Sequence, residues 1–119
     1  MSLSQSATVS DPTVASPVLH VVAEIRLRPG ARDAFVAELR RVTPLVRAED
    51  GCLAYEGALE VPTGLALQLP VRDDVLTVVE RWRDEAALAA HLDAPHMHEH
   101  RARSAELTAG VTLRVLRGV

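Results

Sequence analysis

Between Val75 and Trp82 the chain reads VLTVVERW, and this strand restricts the choice of fold more than any other stretch. Successive side chains of a strand point to opposite faces, so Leu76 and Val78 fall on one side and Val75 and Val79 on the other. A strand that is apolar on both sides has to be covered on both. After Trp82 the chain continues RDEAALAAHL, with Asp84 at a helix N-cap position and Glu85 favourable in the first turn. Leu88 and Leu92 give that helix its apolar stripe. Pro95 breaks and restarts it, and Met97, Arg101, Ser104 and Leu107 continue one side until Gly110. Trp82, the only tryptophan, closes the strand, and His91 falls two turns into the helix. Four of the five histidines, His91, His96, His98 and His100, lie within ten residues of one another.

The remaining segments supply the layers around this unit. Residues 1–17 are small and polar, with two prolines and no periodicity, and read as a flexible tail. A first strand runs from Val18 to Leu27, with Leu19, Val21, Ala23, Ile25 and Leu27 on one face. Pro29-Gly30 turns the chain into a helix over 31–49, striped by Phe35, Leu39, Val42 and Val46 and carrying Pro44 inside it, where a kink is expected. Gly51 supplies its left-handed stop. A second strand spans 52–61, Pro62-Thr63-Gly64 breaks it, and Leu65, Leu67 and Leu69 form a short extended arm. Val111 to Leu116 is a last alternating strand. The order β-α-β-β-α-β predicts an α+β, ferredoxin-like sandwich in one domain over residues 18–119. Both helices then cover one sheet face, and a second copy of the chain is the simplest cover for the other. The expectation is a homodimer.

Composition excludes several functions. A net charge of −3 and three aromatic residues, Phe35, Tyr55 and Trp82, do not suit a nucleic-acid surface. The lone Cys52 rules out an internal disulfide and a multi-cysteine metal site. No apolar run approaches a membrane span, and the first residues lack the basic-then-apolar order of a signal peptide, so a cytoplasmic address is expected. His96 and His100 are spaced for a shared metal, yet the segment offers no third ligand on that face, and no metal is expected. There is no Gly-rich dinucleotide fingerprint either.

Four pieces in order, VVAEIRLRPG, EDGCLAYE, the ERW of the third strand and LAAHLDAPHM, resemble the antibiotic biosynthesis monooxygenase family, most closely its bacterial quinol (menadiol) monooxygenases. The resemblance covers about Leu19 to Leu116. It implies a dimeric α+β barrel and oxidation of electron-rich aromatic substrates by molecular oxygen without metal, flavin or haem. Trp82 matches the strand-end tryptophan of the polyketide-oxidising members. Their pocket asparagine is Val78 here, their pocket tyrosine is Leu88, and their pocket arginine falls near Arg101 or Arg103. The haem degraders' helix tryptophan, iron-binding histidine and strand-one asparagine correspond to His91, Arg101 and Ile25, which sets this chain apart from them. The pattern of His91 and Pro95-His96-Met97 suits the quinol-oxidising members.

Such chemistry needs a base to make an electron-rich phenolate, an apolar slot for the ring, and a group that steadies anions. His91 is the candidate base, because histidine titrates near neutral pH. Trp82 completes the catalytic set as a ring contact and Arg101 as a cation. Tyr55, Val78, Leu88, Ile25 and His96 are the candidate substrate-binding residues. Plain structural readings stand beside these: Trp82 as core packing, His91 as a satisfied half-buried histidine, and Tyr55 as an interface residue. For Glu80, on the Trp82 face, an ion pair with Arg26 or Arg114 is expected. Two other functions fit the same fold, an isomerase of a small phosphorylated sugar-like metabolite and a non-catalytic dimeric ligand-binding module.

Overall fold

The computed structural model describes residues 16–119; most of the expected tail therefore lies outside the described residues. Seven elements follow in order: β1 (Leu19–Leu27), α1 (Arg32–Arg47), β2 (Cys52–Leu59), β3 (Val75–Trp82), α2 (Glu85–Leu92), α3 (Pro95–Ser104) and β4 (Thr108–Arg117). The strands form one antiparallel sheet in the order β2-β3-β1-β4, with β3 and β1 in the centre. This is the expected ferredoxin-like arrangement. On one face Leu19, Val21, Ala23 and Ile25 of β1 join Leu76, Val78 and Trp82 of β3 in a core with Phe35, Leu39, Val42 and Val46 of α1. Ala87 and Leu88 of α2 and Met97 of α3 complete it.

Two close approaches hold the layers at their spacing. Gly57 of β2 lies directly under Leu39 of α1, where any side chain would collide with it. Gly51, at φ 85, turns the chain from α1 into β2, and a Cβ there would stand 2.5 Å from that of Ala87. Asp84 caps α2 as expected, its carboxylate accepting from the Ala87 amide at 2.8 Å. Helix α1 runs on through Pro44, and Thr43 donates its hydroxyl to the Leu39 carbonyl in the same turn.

Three expectations are corrected. The last helix ends at Ser104, not at Gly110, which lies inside β4 opposite Arg26; pairing with β1 recruits residues from Thr108 onward. The buried stripe of α3 is therefore Met97, His100 and Ser104, and Arg101 is exposed. The arm at Leu65, Leu67 and Leu69 forms no strand; it belongs to an exposed loop pinned by Arg72, which binds Glu60 and, on β1, Glu24.

The sheet's two faces differ. Opposite the helices, Val22 pairs with Val79 at the centre, and Val79 is 44% exposed. On the helix side, β4 extends beyond its cover, leaving Val111, Leu113 and Val115 about half exposed.

Candidate active site

Between the sheet and the three helices lies a cavity of about 360 Å³. Ala23, Ile25 and Val78 form its sheet-side floor, and Phe35, Leu39 and Met97 wall it from α1 and α3. The exposed Leu92, Arg101, Val111 and Leu113 rim it towards β4. Among the described residues, five buried side chains with polar atoms line this apolar space: Tyr55, Glu80, His91, His100 and Ser104, whose hydroxyl donates to the His100 carbonyl.

His91 is 2% exposed and rests on the Trp82 indole, ring centroids 4.5 Å apart, with Tyr55 edge-on at 5.7 Å. Its Nδ1 lies 2.9 Å from a carboxylate oxygen of Glu49, in the turn between α1 and Gly51. A carboxylate only accepts, so Nδ1 carries the proton and Nε2 keeps a lone pair. That Nε2 has no hydrogen-bond partner among the described residues. Burial holds the imidazole's pKa below its ordinary value, against the opposing pull of Glu49. The result is a neutral histidine with one nitrogen anchored and the other available.

Glu80 lies beside it on β3. Instead of pairing with Arg26 or Arg114, it is buried and accepts from the Trp82 indole N–H at 2.8 Å. The guanidinium alternatives belong to side chains on the other sheet face or at its edge, whereas Glu80 shares the helix-side face with Val78 and Trp82. Burial raises its pKa to about 7, helped by the nearby charge of Glu49 and opposed by the indole hydrogen bond. Tyr55, pushed well above the ordinary phenol range by burial, stays protonated.

Of the residues singled out from sequence, His91, Arg101, Tyr55, Val78 and Ile25 meet at the cavity. Trp82 is fully buried outside the cavity lining, packed against His91 and donating to Glu80. Leu88 packs in the core outside the cavity lining. His96 turns away, its Nε2 2.6 Å from the same Glu49 oxygen that holds His91. His96 and His100 do not converge on a metal: Glu49 takes one and Glu38 the other. Among the described residues no group of three or more His, Cys, Asp or Glu side chains is arranged to hold a metal ion. Arg101 donates to the Leu92 carbonyl at 2.9 Å, which holds its guanidinium at the rim.

Sequence reasoning passed over Glu49 and weighed His100 only as a metal ligand beside His96. Nothing local marks Glu49, whose partner is 42 residues away. His100 carried a usable signal, since Met97, His100 and Ser104 are spaced i, i+3, i+7 on one helix face.

The profile of the antibiotic biosynthesis monooxygenase family matches residues 18–103. The chain belongs to that family. It is 37% identical over 82 residues to the Escherichia coli protein named "Probable quinol monooxygenase YgiN", covering 67% of this chain and 78% of that one. Rv0793 of Mycobacterium tuberculosis is 36% identical over 102 residues, 85% of this chain and 90% of the relative. The solved structure of Rv0793 superposes with a TM-score of 0.71, covering 86% of this chain and 95% of that one at 31% identity. The crystal structure of PA3566 from Pseudomonas aeruginosa gives 0.73 at 27% identity, covering 89% and 98%. This family member thus joins relatives named as monooxygenases, and its cavity lies between the sheet and helices of their shared fold.

Proposed function

We propose that this protein oxidises a quinol-like or polyphenolic aromatic compound with molecular oxygen, using its own side chains in place of a metal, flavin or haem. The observation that carries the reading is the buried His91 in the lining of an apolar cavity, anchored by Glu49 at Nδ1. Ground-state oxygen is a triplet and reacts sluggishly with a neutral phenol. Removing the hydroxyl proton gives a phenolate that passes one electron to oxygen, and the resulting radical pair can then form a carbon–oxygen bond.

In this scheme His91 Nε2 takes the hydroxyl proton. Glu49 is a positioning residue that fixes the tautomer, and Trp82 acts through His91 by packing its indole against the imidazole. Glu80, about half protonated near pH 7, offers a proton or a hydrogen bond to the reduced oxygen. Arg101 adds positive charge at the rim, while Ile25, Val78 and Tyr55 contact the ring. A phosphorylated sugar would want a cluster of cations, and among the described residues Arg101 is the one arginine lining this cavity. A homodimer joined through the sheet faces without helices is part of the reading.

The test uses 1,4-dihydroxynaphthalene under labelled oxygen, with protein dialysed against a chelator. The expected result is one labelled oxygen atom in the product and activity that added metal or flavin does not change. His91→Gln should keep the fold but lose roughly 100-fold or more in turnover, the scale of a removed general base. Normal turnover in that variant would overturn His91 as the base.

A further inference from the structure

We infer that His100 is a second proton acceptor of this cavity, taking the proton of the second hydroxyl group of a quinol-like ring. The inference rests on the oxidative reading above and adds a second proton-accepting residue to it.

The His100 arrangement repeats that of His91. His100 is 8% exposed and lines the same cavity. Its Nδ1 lies 2.8 Å from a carboxylate oxygen of Glu38, and its ring packs edge-on to Phe35 at 5.9 Å. Glu38 is itself gripped by Arg41, whose Nε and Nη2 each donate at 2.8 Å. That grip keeps the Glu38 carboxyl ionised, its pKa lowered first by the Arg41 hydrogen bonds. An ionised Glu38 accepts from Nδ1–H, which leaves the His100 Nε2 lone pair without a partner among the described residues. A histidine kept only for packing has no reason to leave a buried nitrogen unpaired beside an open space.

The two pairs occupy opposite ends of the site. Helix α1 starts beside the Leu27 end of β1 and runs back towards the end where Leu19 pairs with Trp82. Glu38 stands in its second turn, beside Phe35, and Glu49 just beyond its C-terminus. The helical rise puts these two positions about 16 Å apart along the axis. The histidines they hold face the cavity between them, one against Phe35 and the other against Trp82. Because both histidines line this one cavity, a ring bound between them would have one hydroxyl directed to each end.

The balance closes with oxygen as the only co-reactant. The two hydroxyl protons pass to His91 and His100 as the ring gives up electrons. One oxygen atom bonds to a ring carbon, and the hydrogen of that carbon ends on the new hydroxyl. The oxygen–oxygen bond breaks, and the second atom leaves with the two stored protons as water. The dihydroxy ring becomes a hydroxyquinone.

The test compares 1,4-dihydroxynaphthalene with its mono-methyl ether, 4-methoxy-1-naphthol. The intact protein should prefer the diol in kcat/KM, and His100→Gln should lower the diol-to-ether ratio by about tenfold or more, at the low end for a lost proton acceptor. His91→Gln should lose both activities. Glu38→Gln leaves His100 in place but loosens its tautomer, and should lower the ratio in the same direction. Should both variants unfold, anaerobic binding to the intact protein decides, with the diol expected to bind more tightly than the ether. Equal handling of diol and ether by the intact protein, or a ratio unchanged in both folded variants, overturns the role of His100 while leaving the oxidative reading intact. Turnover of neither compound overturns that reading and this inference with it.

Discussion

His91 and Glu80 are both buried and titratable, and burial moves both towards their uncharged forms. For Glu80 the folded state keeps its proton up to about pH 7, whereas the unfolded chain releases it near 4.5. Between those values the folded state binds more protons, so stability falls as pH rises and the cost is complete above 7. The shift sets an upper bound of roughly 3 kcal/mol on that cost. Glu80→Gln can still accept from the Trp82 indole and removes the charge. Its melting temperature should therefore exceed that of the intact protein by several degrees at pH 8, with the gap closing by pH 4.5. Equal melting curves at pH 8 would mean that Glu80 is not held in its neutral form. His91 has the opposite sign, because burial lowers its pKa. Protonation costs stability as pH falls below the unfolded histidine value of about 6.5 and through the lower folded value. If Nε2 is the base, the acid limb of kcat/KM should lie below that ordinary histidine value. A limb at or above it would assign the titration to another group.

At the level of elements, what was legible in the sequence was what neighbours decide. The Asp84 cap is settled within three residues, and the alternation of β1 and β3 sorts core from solvent by period alone. Gly110 misled for the same reason. Read locally it stops a helix, but the ladder between β4 and β1 is a long-range interaction and takes it as strand. Of the candidate site, His91, Tyr55 and the apolar wall were legible because they lie on faces that periodicity identifies, and Arg101 through the family resemblance. The Glu49 and Glu38 anchors were not, since their partners are 42 and 62 residues away and depend on how α1 crosses the sheet. Gly51 joins the two levels. At φ 85, with Ala87 behind it, it sets both the turn that carries Glu49 and the seat of the helix that carries His91. Gly51→Ala should destabilise by about 1–3 kcal/mol. It should also reduce kcat in the fraction that remains folded, because Glu49 and α2 must move apart. Asp84→Ala, by contrast, should cost about 1 kcal/mol in the melt with kcat nearly unchanged. A Gly51→Ala protein with full turnover would separate the turn from the chemistry.

For the whole molecule, the surface that calls for a cover is the sheet face without helices. Val22 and Val79 form an apolar pair at its centre, while Arg26, Arg81 and Arg114 bring charge around them. Arg72 ties the loop after β2 to Glu24 on the same face, and that loop carries Leu65, Leu67 and Leu69 at 73%, 98% and 81% exposure. Three leucines so exposed, next to a bare sheet, are what a protein–protein contact buries. Four strands about 4.8 Å apart and about 30 Å long offer roughly 570 Å² per copy. Two copies therefore remove about 1,100 Å² from water before the leucine loop is added, just above the roughly 1,000 Å² expected of a stable interface. The face alone is marginal, and the loop decides. Sedimentation at micromolar concentration should give a dimer. Val79→Asp places a charge opposite Val22 at the centre of the contact and should give a monomer. Replacing Leu65, Leu67 and Leu69 together by serine should weaken the dimer without changing the monomer's secondary structure. The cavity lies on the other side of the sheet, so a monomeric variant that remains folded should still bind substrate. If the intact protein sediments as a stable monomer, the second copy is not what covers this face.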